Sequence, residues 1–321
     1  MNQPLDDLEG VLDLRVEQLR RESDGVVSLT LVDPDGGALP EWTPGAHIDL
    51  GLPGVVRQYS LCGDPADRFT YRVAVLREEN SRGGSRYVHE ALRVGELVEV
   101  GGPRNNFALA PAERYQFVAG GIGITPLLPM IAAAEASGTP WSLAYGGRLR
   151  SSMAFTAELA AHGDKVDLAV EAERGPLDLA ALLGIPRTDT AVYCCGPEGL
   201  LAAVEERCAD WPDGSLHIER FKAKAVAGDA AADREFEVVC DRSGTTVRVP
   251  ADRTVLDCLD EAGIVVDSAC REGICGSCET KVLSGDVDHR DSLLSADEQA
   301  SGQTAMLCVS RARSERLVLD L

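Results

Sequence analysis

Four cysteines in the last quarter of the chain have a spacing that could do redox chemistry. Cys270, Cys275 and Cys278 lie within the stretch CREGICGSC, and Cys308 follows much further along. The pattern C-x4-C-x2-C with a distant fourth cysteine is the plant-type spacing for a 2Fe–2S cluster. Two irons and two sulfides need four thiolates that converge from several directions, and a short loop carrying three of them can wrap the cluster. The spacing therefore predicts a one-electron carrier.

Two glycines within this loop favour the same prediction, although other interpretations stay open. Gly273 and Gly276 let the backbone turn tightly enough to aim N–H groups at the sulfurs. A structural zinc site usually has two C-x2-C pairs, whereas here there is one such pair with Cys270 at a different offset. Zinc and plain buried cysteines are the alternatives to a cluster. A disulfide is disfavoured because the chain has the features of an intracellular protein.

Four shorter stretches point to nucleotide binding. RQYS, Arg57 to Ser60, lies on a predicted strand, and SRGGS, Ser81 to Ser85, is a turn that can offer N–H groups to a phosphate. GGIGITP, Gly120 to Pro126, follows a strand and opens a helix, where a pyrophosphate can bind, and CGP, Cys195 to Pro197, repeats that arrangement. None is the G-x-G-x-x-G fingerprint, and each alone can be an ordinary turn. Their order and spacing indicate a dinucleotide site.

Composition excludes several classes of protein. The chain has 321 residues and a net charge of −21, which argues against nucleic-acid binding and against attraction to anionic membranes. The first residues, MNQPLDDLEG, are not those of a signal peptide. The apolar run FVAGGIGITPLLPMIAAAEA is broken by glycines and prolines, so a strand, turn and helix fit it better than a membrane span. Ten cysteines, most of them scattered, suit a reducing cytoplasm. We expect a cytoplasmic protein.

The elements that must position these residues fall into three predicted domains. Many short strands separated by Gly, Pro and Asp predict an antiparallel β-barrel over residues 1–110. Strands such as YQFVAGG and WSLAYGG then alternate with helices such as PLLPMIAAAEASG and SSMAFTAELAAHG, which predicts a parallel α/β domain over 111–222. An alanine-rich linker is predicted over 223–233. A hairpin, a helix and the cysteine loop predict a β-grasp ferredoxin domain over 234–321.

Taken in order, RQYSL, GGS, GGIGITP, YGG, CCGP, HIERF and the cysteine set resemble the phthalate dioxygenase reductases, a group that includes vanillate demethylase reductases. The resemblance covers nearly the whole chain, as flavin barrel, nicotinamide domain and plant-type ferredoxin. It implies an NAD(P)H-dependent oxidoreductase that binds FMN and a 2Fe–2S cluster and feeds single electrons to an oxygenase.

The resemblance also implies roles for residues around the flavin. Arg57 contacts the FMN phosphate together with the glycine turn, Tyr59 packs against the flavin ring, and Ser60 lies near its N5. Phe221, in HIERF, covers the flavin face, although a hydrophobic plug at a domain boundary is the alternative. The implied flavin-binding set is Arg57, Gln58, Tyr59, Ser60, Gly83, Gly84 and Ser85.

On the nicotinamide side, the resemblance implies that Gly121, Gly123 and Thr125 line the coenzyme pocket, and that Cys195 and Gly196 lie beside the nicotinamide. We interpret Cys195 as a pocket wall rather than a nucleophile, because no paired base is visible in the sequence. The implied catalytic set is Ser60, Cys195 and Phe221. Arg148 follows the strand WSLAYGG and could accept a 2′-phosphate, so NADPH is possible, whereas the resemblance favours NADH.

Electron counting gives the mechanism and the partner. Hydride carries two electrons and a 2Fe–2S cluster accepts one, so the flavin divides the pair. No oxygen-activating centre is visible in the sequence, so the electrons must pass to another protein, and the resemblance implies that this partner is a terminal oxygenase of the Rieske type. A haem monooxygenase is the alternative, and a cluster-based redox-sensing module is a third interpretation. We expect a monomer that docks its partner beside Arg271 and Glu272, and the acidic balance suggests a basic patch on that partner.

Overall fold

The structure, a computed structural model, describes residues 10–81, 83–224 and 234–321. The chain divides into two compact units, Met1–Glu219 and Arg220–Leu321. Residues 225–233 of the predicted linker lie outside the described residues. Among the described helices, none has the length and apolar character needed to cross a membrane.

The first unit begins with a six-stranded antiparallel sheet in the order β4-β3-β6-β1-β2-β5. A bridge between Leu61 and Val73 joins its two ends, which closes the sheet into the predicted barrel. Alternation along β3 puts Ile48 and Leu50 into the apolar core, while Asp49 is buried on the opposite face. The strands are Leu12–Ser23 (β1), Val26–Val32 (β2), His47–Leu52 (β3), Val55–Ser60 (β4), Tyr71–Leu76 (β5) and Leu97–Arg104 (β6), with helix Gly84–Glu90 (α1) before β6.

A five-stranded parallel sheet follows in the same unit, in the order β11-β10-β7-β8-β9. Its carboxyl ends lie at one edge, where parallel α/β sheets place their ligands. The strands are Arg114–Gly120 (β7), Trp141–Gly147 (β8), Val166–Val170 (β9), Thr190–Cys195 (β10) and Leu216–Glu219 (β11). The helices are Leu127–Ser137 (α2), Thr156–Leu159 (α3), Glu171–Arg174 (α4), Leu179–Leu183 (α5) and Glu198–Arg207 (α6).

One predicted helix of this sheet domain is wrong. SSMAFTAELAAHG forms α3 flanked by two 3-10 turns, Arg150–Ser152 and Ala160–Lys165, rather than one continuous helix. Phe155 adopts a left-handed backbone with φ 61°. That conformation turns its ring into the apolar core, where the Arg72 guanidinium lies 5.3 Å from the ring centroid. Burial of the aromatic ring therefore overrides helical propensity.

The second unit has the β-grasp arrangement expected of a ferredoxin. Its sheet has the order β13-β12-β18-β14-β16, with β12 and β13 forming the predicted hairpin. The Thr254 side chain caps α7 by accepting a hydrogen bond from the Asp257 N–H at 3.0 Å. The elements are Phe236–Cys240 (β12), Thr245–Val249 (β13), Val255–Glu261 (α7), Glu279–Ser284 (β14), Val287–Asp288 (β15), Ala296–Ser301 (α8), Thr304–Met306 (β16), Arg311–Ala312 (β17) and Arg316–Leu319 (β18).

Candidate functional site

The second unit brings its four motif cysteines together. Cys270, Cys275 and Cys278 lie in the loop between α7 and β14, and Cys308 follows β16. Their thiols are in hydrogen-bonding contact as two pairs, Cys270 with Cys275 and Cys278 with Cys308, and a contact between Cys270 and Cys308 joins the pairs. Paired thiols at this spacing suit two irons.

Backbone N–H groups and glycines complete the cysteine loop. The N–H of Glu272 donates to Cys270 Sγ at 3.3 Å, and the N–H of Ser277 donates to Cys275 Sγ at 3.4 Å. The contacts with neighbouring thiols, together with backbone N–H donation, lower the pKa of the Cys270 thiol. Gly273 has φ +69°, and a Cβ there would lie 2.6 Å from Val309 Cγ2. The loop therefore fits a cluster whose sulfur ligands accept hydrogen bonds.

In the first unit, the predicted flavin residues lie on β4 and against the turn that precedes α1. A Cβ on Gly84 would lie 3.0 Å from Arg57 Cγ, so the arginine side chain packs directly over the glycine. Burial raises the pKa of Tyr59 to about 12. The side-chain amide of Gln58 donates a hydrogen bond to Oδ1 of the buried Asp49 at 3.0 Å.

Ser81 organises the glycine turn. Its hydroxyl accepts hydrogen bonds from the N–H of Gly83 at 3.1 Å and of Arg86 at 3.4 Å, and Ser85 Oγ donates to it at 3.0 Å. A cavity of about 380 Å³ opens beside this turn, and the residues that line it are Arg77, Glu78, Glu79, Ser81 and Arg86. The lining combines two guanidinium groups with two carboxylates, and Arg77 also donates to Glu90 Oε1 at 2.5 Å, so any anion at this turn would depend on Arg86 and on the backbone N–H groups.

Three side chains from distant parts of the first unit meet at the carboxyl end of the parallel sheet. Ser60 Oγ donates to Glu219 Oε2 at 3.3 Å, and Cys195 Sγ lies 4.0 Å from the same oxygen. Burial raises the pKa of Glu219 to about 8, although its hydrogen bond from Ser60 acts in the opposite direction. Burial, together with the Glu219 carboxylate, raises the pKa of the Cys195 thiol well above its usual value. The thiol therefore stays protonated at neutral pH.

Local sequence patterns do not single out Glu219, although it lies in HIERF, one of the stretches that carry the family resemblance. In the structure it ends β11 and is the register partner of Cys195 on β10, a pairing between strands that no local pattern shows. Phe221 itself lies just past the boundary at Glu219, in the second unit, and it is 36% exposed.

Glycines bring the loops after β7 and β10 into backbone contact. A Cβ on Gly123 would lie 2.2 Å from the carbonyl oxygen of Cys195, and a Cβ on Gly196 would lie 3.0 Å from Gly120 Cα. Gly121 has φ +54°, and Thr125 is buried with its hydroxyl donating to the Ile122 carbonyl at 3.0 Å. Only residues without a Cβ allow this approach.

The two arginines after β8 differ in their surroundings. Arg150 is bound by both oxygens of Glu173, with Nε–Oε1 at 3.1 Å and Nη2–Oε2 at 2.7 Å. Arg148 is exposed, and its carbonyl accepts from the Ala172 N–H at 3.2 Å. Arg148 is therefore the better placed of the two to meet a charged ligand.

Comparisons with family models and with known proteins give matches that span different lengths of the chain. Residues 238–313 match the model of the 2Fe-2S iron-sulfur cluster binding domain. Nearly the whole chain is similar to the phenoxybenzoate dioxygenase subunit beta of Ectopseudomonas oleovorans, at 45% identity over 311 residues, covering 96% of this chain and 97% of that protein.

Comparison with solved structures gives matches that cover nearly the whole of this chain. A phthalate dioxygenase reductase has a TM-score of 0.71 and 38% identity, with 98% of both chains covered. An intact type IV self-sufficient cytochrome P450 monooxygenase has a TM-score of 0.91 and 48% identity, with 97% of this chain covered. The match spans 41% of that longer monooxygenase.

Proposed function

The chain belongs to the phthalate dioxygenase reductase family, and from this premise we propose that it is the reductase component of an oxygenase system. It takes hydride from a nicotinamide coenzyme onto FMN and passes electrons one at a time through a 2Fe–2S cluster. The observation that carries the proposal is the convergence of four cysteine thiols, two of which accept backbone hydrogen bonds.

The proposed FMN site uses β4 and the turn before α1. When bound, FMN accepts two electrons as hydride and returns them singly. Arg57 and the backbone of Gly83, Gly84 and Ser85 hold its phosphate, next to the cavity that Arg77 and Arg86 line. Tyr59 packs on the ring, and Gln58 supports the strand through Asp49.

In this proposal, Glu219 is the proton donor beside the flavin, and Ser60 connects it to the flavin. The pKa of Glu219, raised to about 8, keeps its carboxyl largely protonated at neutral pH. Hydride arriving at the flavin would add negative charge there, and the protonated Glu219 carboxyl could supply one proton through the Ser60 hydroxyl, becoming a carboxylate as it does so. Cys195 stays a neutral wall of the pocket for the nicotinamide, with Gly121, Gly123, Thr125 and Gly196.

NADH is the proposed coenzyme. An acidic group near the adenosine ribose disfavours a 2′-phosphate, and Glu173 binds Arg150 and thereby reduces the positive charge after β8. Arg148 is the remaining arginine that could accept a 2′-phosphate, so NADPH is the second choice.

The proposed partner is a Rieske-type terminal oxygenase, which the chain serves as a cytoplasmic monomer. The relatives include a phthalate dioxygenase reductase and a phenoxybenzoate dioxygenase subunit. A haem partner is the second candidate, because a self-sufficient cytochrome P450 monooxygenase contains a region 48% identical to this chain.

The test uses the purified chain alone with NADH. It should reduce cytochrome c and ferricyanide through many turnovers and should hydroxylate no aromatic compound until a terminal oxygenase is added. Substrate oxidation by this chain without a second protein would contradict the proposal.

A further inference from the structure

Arg271, the residue after the proposed cluster ligand Cys270, has a left-handed backbone conformation. Its φ of 53° lies in the region that favours glycine. Apart from Phe155, no other non-glycine residue among the described residues has a positive φ. A left-handed conformation costs free energy for a residue with a Cβ, so contacts of its side chain must compensate.

Two aspartates on α7 provide those contacts. Arg271 Nη1 donates to Asp257 Oδ1 at 2.8 Å, and Nη2 donates to Asp260 Oδ2 at 2.8 Å. The aspartates are three residues apart and therefore share one face of the helix. Leu256 and Leu259 hold that helix in the apolar core of the unit. The planar guanidinium thus fixes the loop to a rigid element at two points.

The direction of one N–H group depends on this attachment. The N–H of Glu272 belongs to the peptide unit between Arg271 and Glu272, so rotation of the backbone at Arg271 turns it. In the structure this N–H donates to Cys270 Sγ at 3.3 Å. A reduced cluster carries one more negative charge than an oxidised one, so an N–H donor at a ligand sulfur favours reduction.

We propose that Arg271 is a positioning residue for the cluster: its attachment to Asp257 and Asp260 holds the peptide unit that donates to Cys270 Sγ and thereby makes the cluster easier to reduce. This inference rests on the proposed function, because it requires that the four cysteines hold a 2Fe–2S cluster. A cluster held by these cysteines would gain one negative charge on reduction, and the hydrogen bond that the Glu272 N–H donates would stabilise that charge.

The deciding variant is the double substitution Asp257→Asn and Asp260→Asn. It removes two negative charges near the cluster, so electrostatics alone would make reduction easier. Loss of the directed N–H would make reduction harder. At a fixed solution potential we expect the ratio of reduced to oxidised cluster to fall by between about threefold and tenfold, and tenfold is about 59 mV for one electron. Arg271→Lys keeps the charge but loses the two-point attachment, and it should shift the ratio in the same direction by less.

Iron and acid-labile sulfide are measured first, so that absence of a cluster in the wild type, which would contradict the proposed function, is distinguished from a shifted potential. The matched control is Asp320→Asn, which removes the carboxylate bound by Arg242 at 2.7 and 2.8 Å in the same unit. It should not lower the ratio. If the double variant holds no cluster, the ratio of reduced to oxidised cluster is measured instead in two single variants, Asp260→Asn and Arg271→Lys. An unchanged or raised ratio in the variants that retain the cluster would overturn the inference.

Discussion

At the scale of single residues, Glu219 is the group whose ionisation should be most visible. Its pKa is about 8 in the folded protein because burial penalises the carboxylate, against an ordinary value of 4.5. Between these two values the unfolded chain has already lost its proton while the folded chain retains it. The contribution of Glu219 to stability is therefore present at low pH and is lost as pH rises through about 8.

Glu219→Gln removes this loss because an amide does not ionise. We expect the difference in melting temperature between the variant and the wild type to shift in favour of the variant by a few degrees from pH 6 to pH 8.5, since 1 kcal/mol corresponds to roughly 2–4 °C for a unit of the size of Met1–Glu219. The control is Glu17→Gln, an exposed carboxylate of the same unit. A difference in melting temperature that does not change with pH would show that the Glu219 carboxyl titrates normally.

Arg148 carries the second prediction at this scale. Because Glu173 binds Arg150, we expect kcat/KM to be higher for NADH than for NADPH. Arg148→Ala should lower kcat/KM for NADPH several-fold and leave NADH within about twofold, since the lost interaction is with a 2′-phosphate that NADH lacks. A higher kcat/KM for NADPH in the wild type would show that the coenzyme assignment is wrong.

At the scale of elements, glycines control how closely the loops after β7 and β10 approach. Gly123→Ala would place a Cβ 2.2 Å from the Cys195 carbonyl oxygen, so the loops must separate at a cost of roughly 1–3 kcal/mol. We expect a lower denaturation midpoint and slower reduction of the flavin by NADH, with FMN content unchanged. Gly199→Ala, on α6 with open space around the glycine, should not destabilise the protein. Equal effects of the two substitutions would contradict the proposed close packing.

Sequence patterns predicted these elements unevenly. β7 with α2 and β10 with α6 were recognisable, because an apolar strand runs into glycines and an apolar helix follows. The edge strands β9 and β11 were missed because each is short, with five and four residues. The contact between Ser60 and Glu219 spans 159 positions in the chain, and the bonds from Arg271 to α7 depend on a left-handed backbone. Local patterns do not encode such contacts.

At the scale of the whole molecule, the two compact units separate the proposed flavin and cluster functions. Cys275→Ser should abolish the visible absorption of the cluster and lower cytochrome c reduction at least tenfold, because a ligating thiolate is lost. The rate of FMN reduction by NADH should stay within about twofold of the wild-type rate, because the residues proposed to bind FMN on β4 and at the turn before α1 lie in the other unit. The control is Cys258→Ala, a buried cysteine outside the ligand set. Loss of FMN binding in Cys275→Ser would contradict independent units.

The most direct measurement is anaerobic stopped-flow reduction of the wild-type protein by NADH, followed by freeze-quench electron paramagnetic resonance. The account predicts that the flavin absorbance falls first and the cluster absorbance falls next, in a phase that is missing in Cys275→Ser. The paramagnetic signal of a reduced 2Fe–2S cluster should develop together with this second phase. A flavin that is fully reduced by NADH while the cluster stays oxidised would contradict the electron path from coenzyme through FMN to the cysteine-bound cluster.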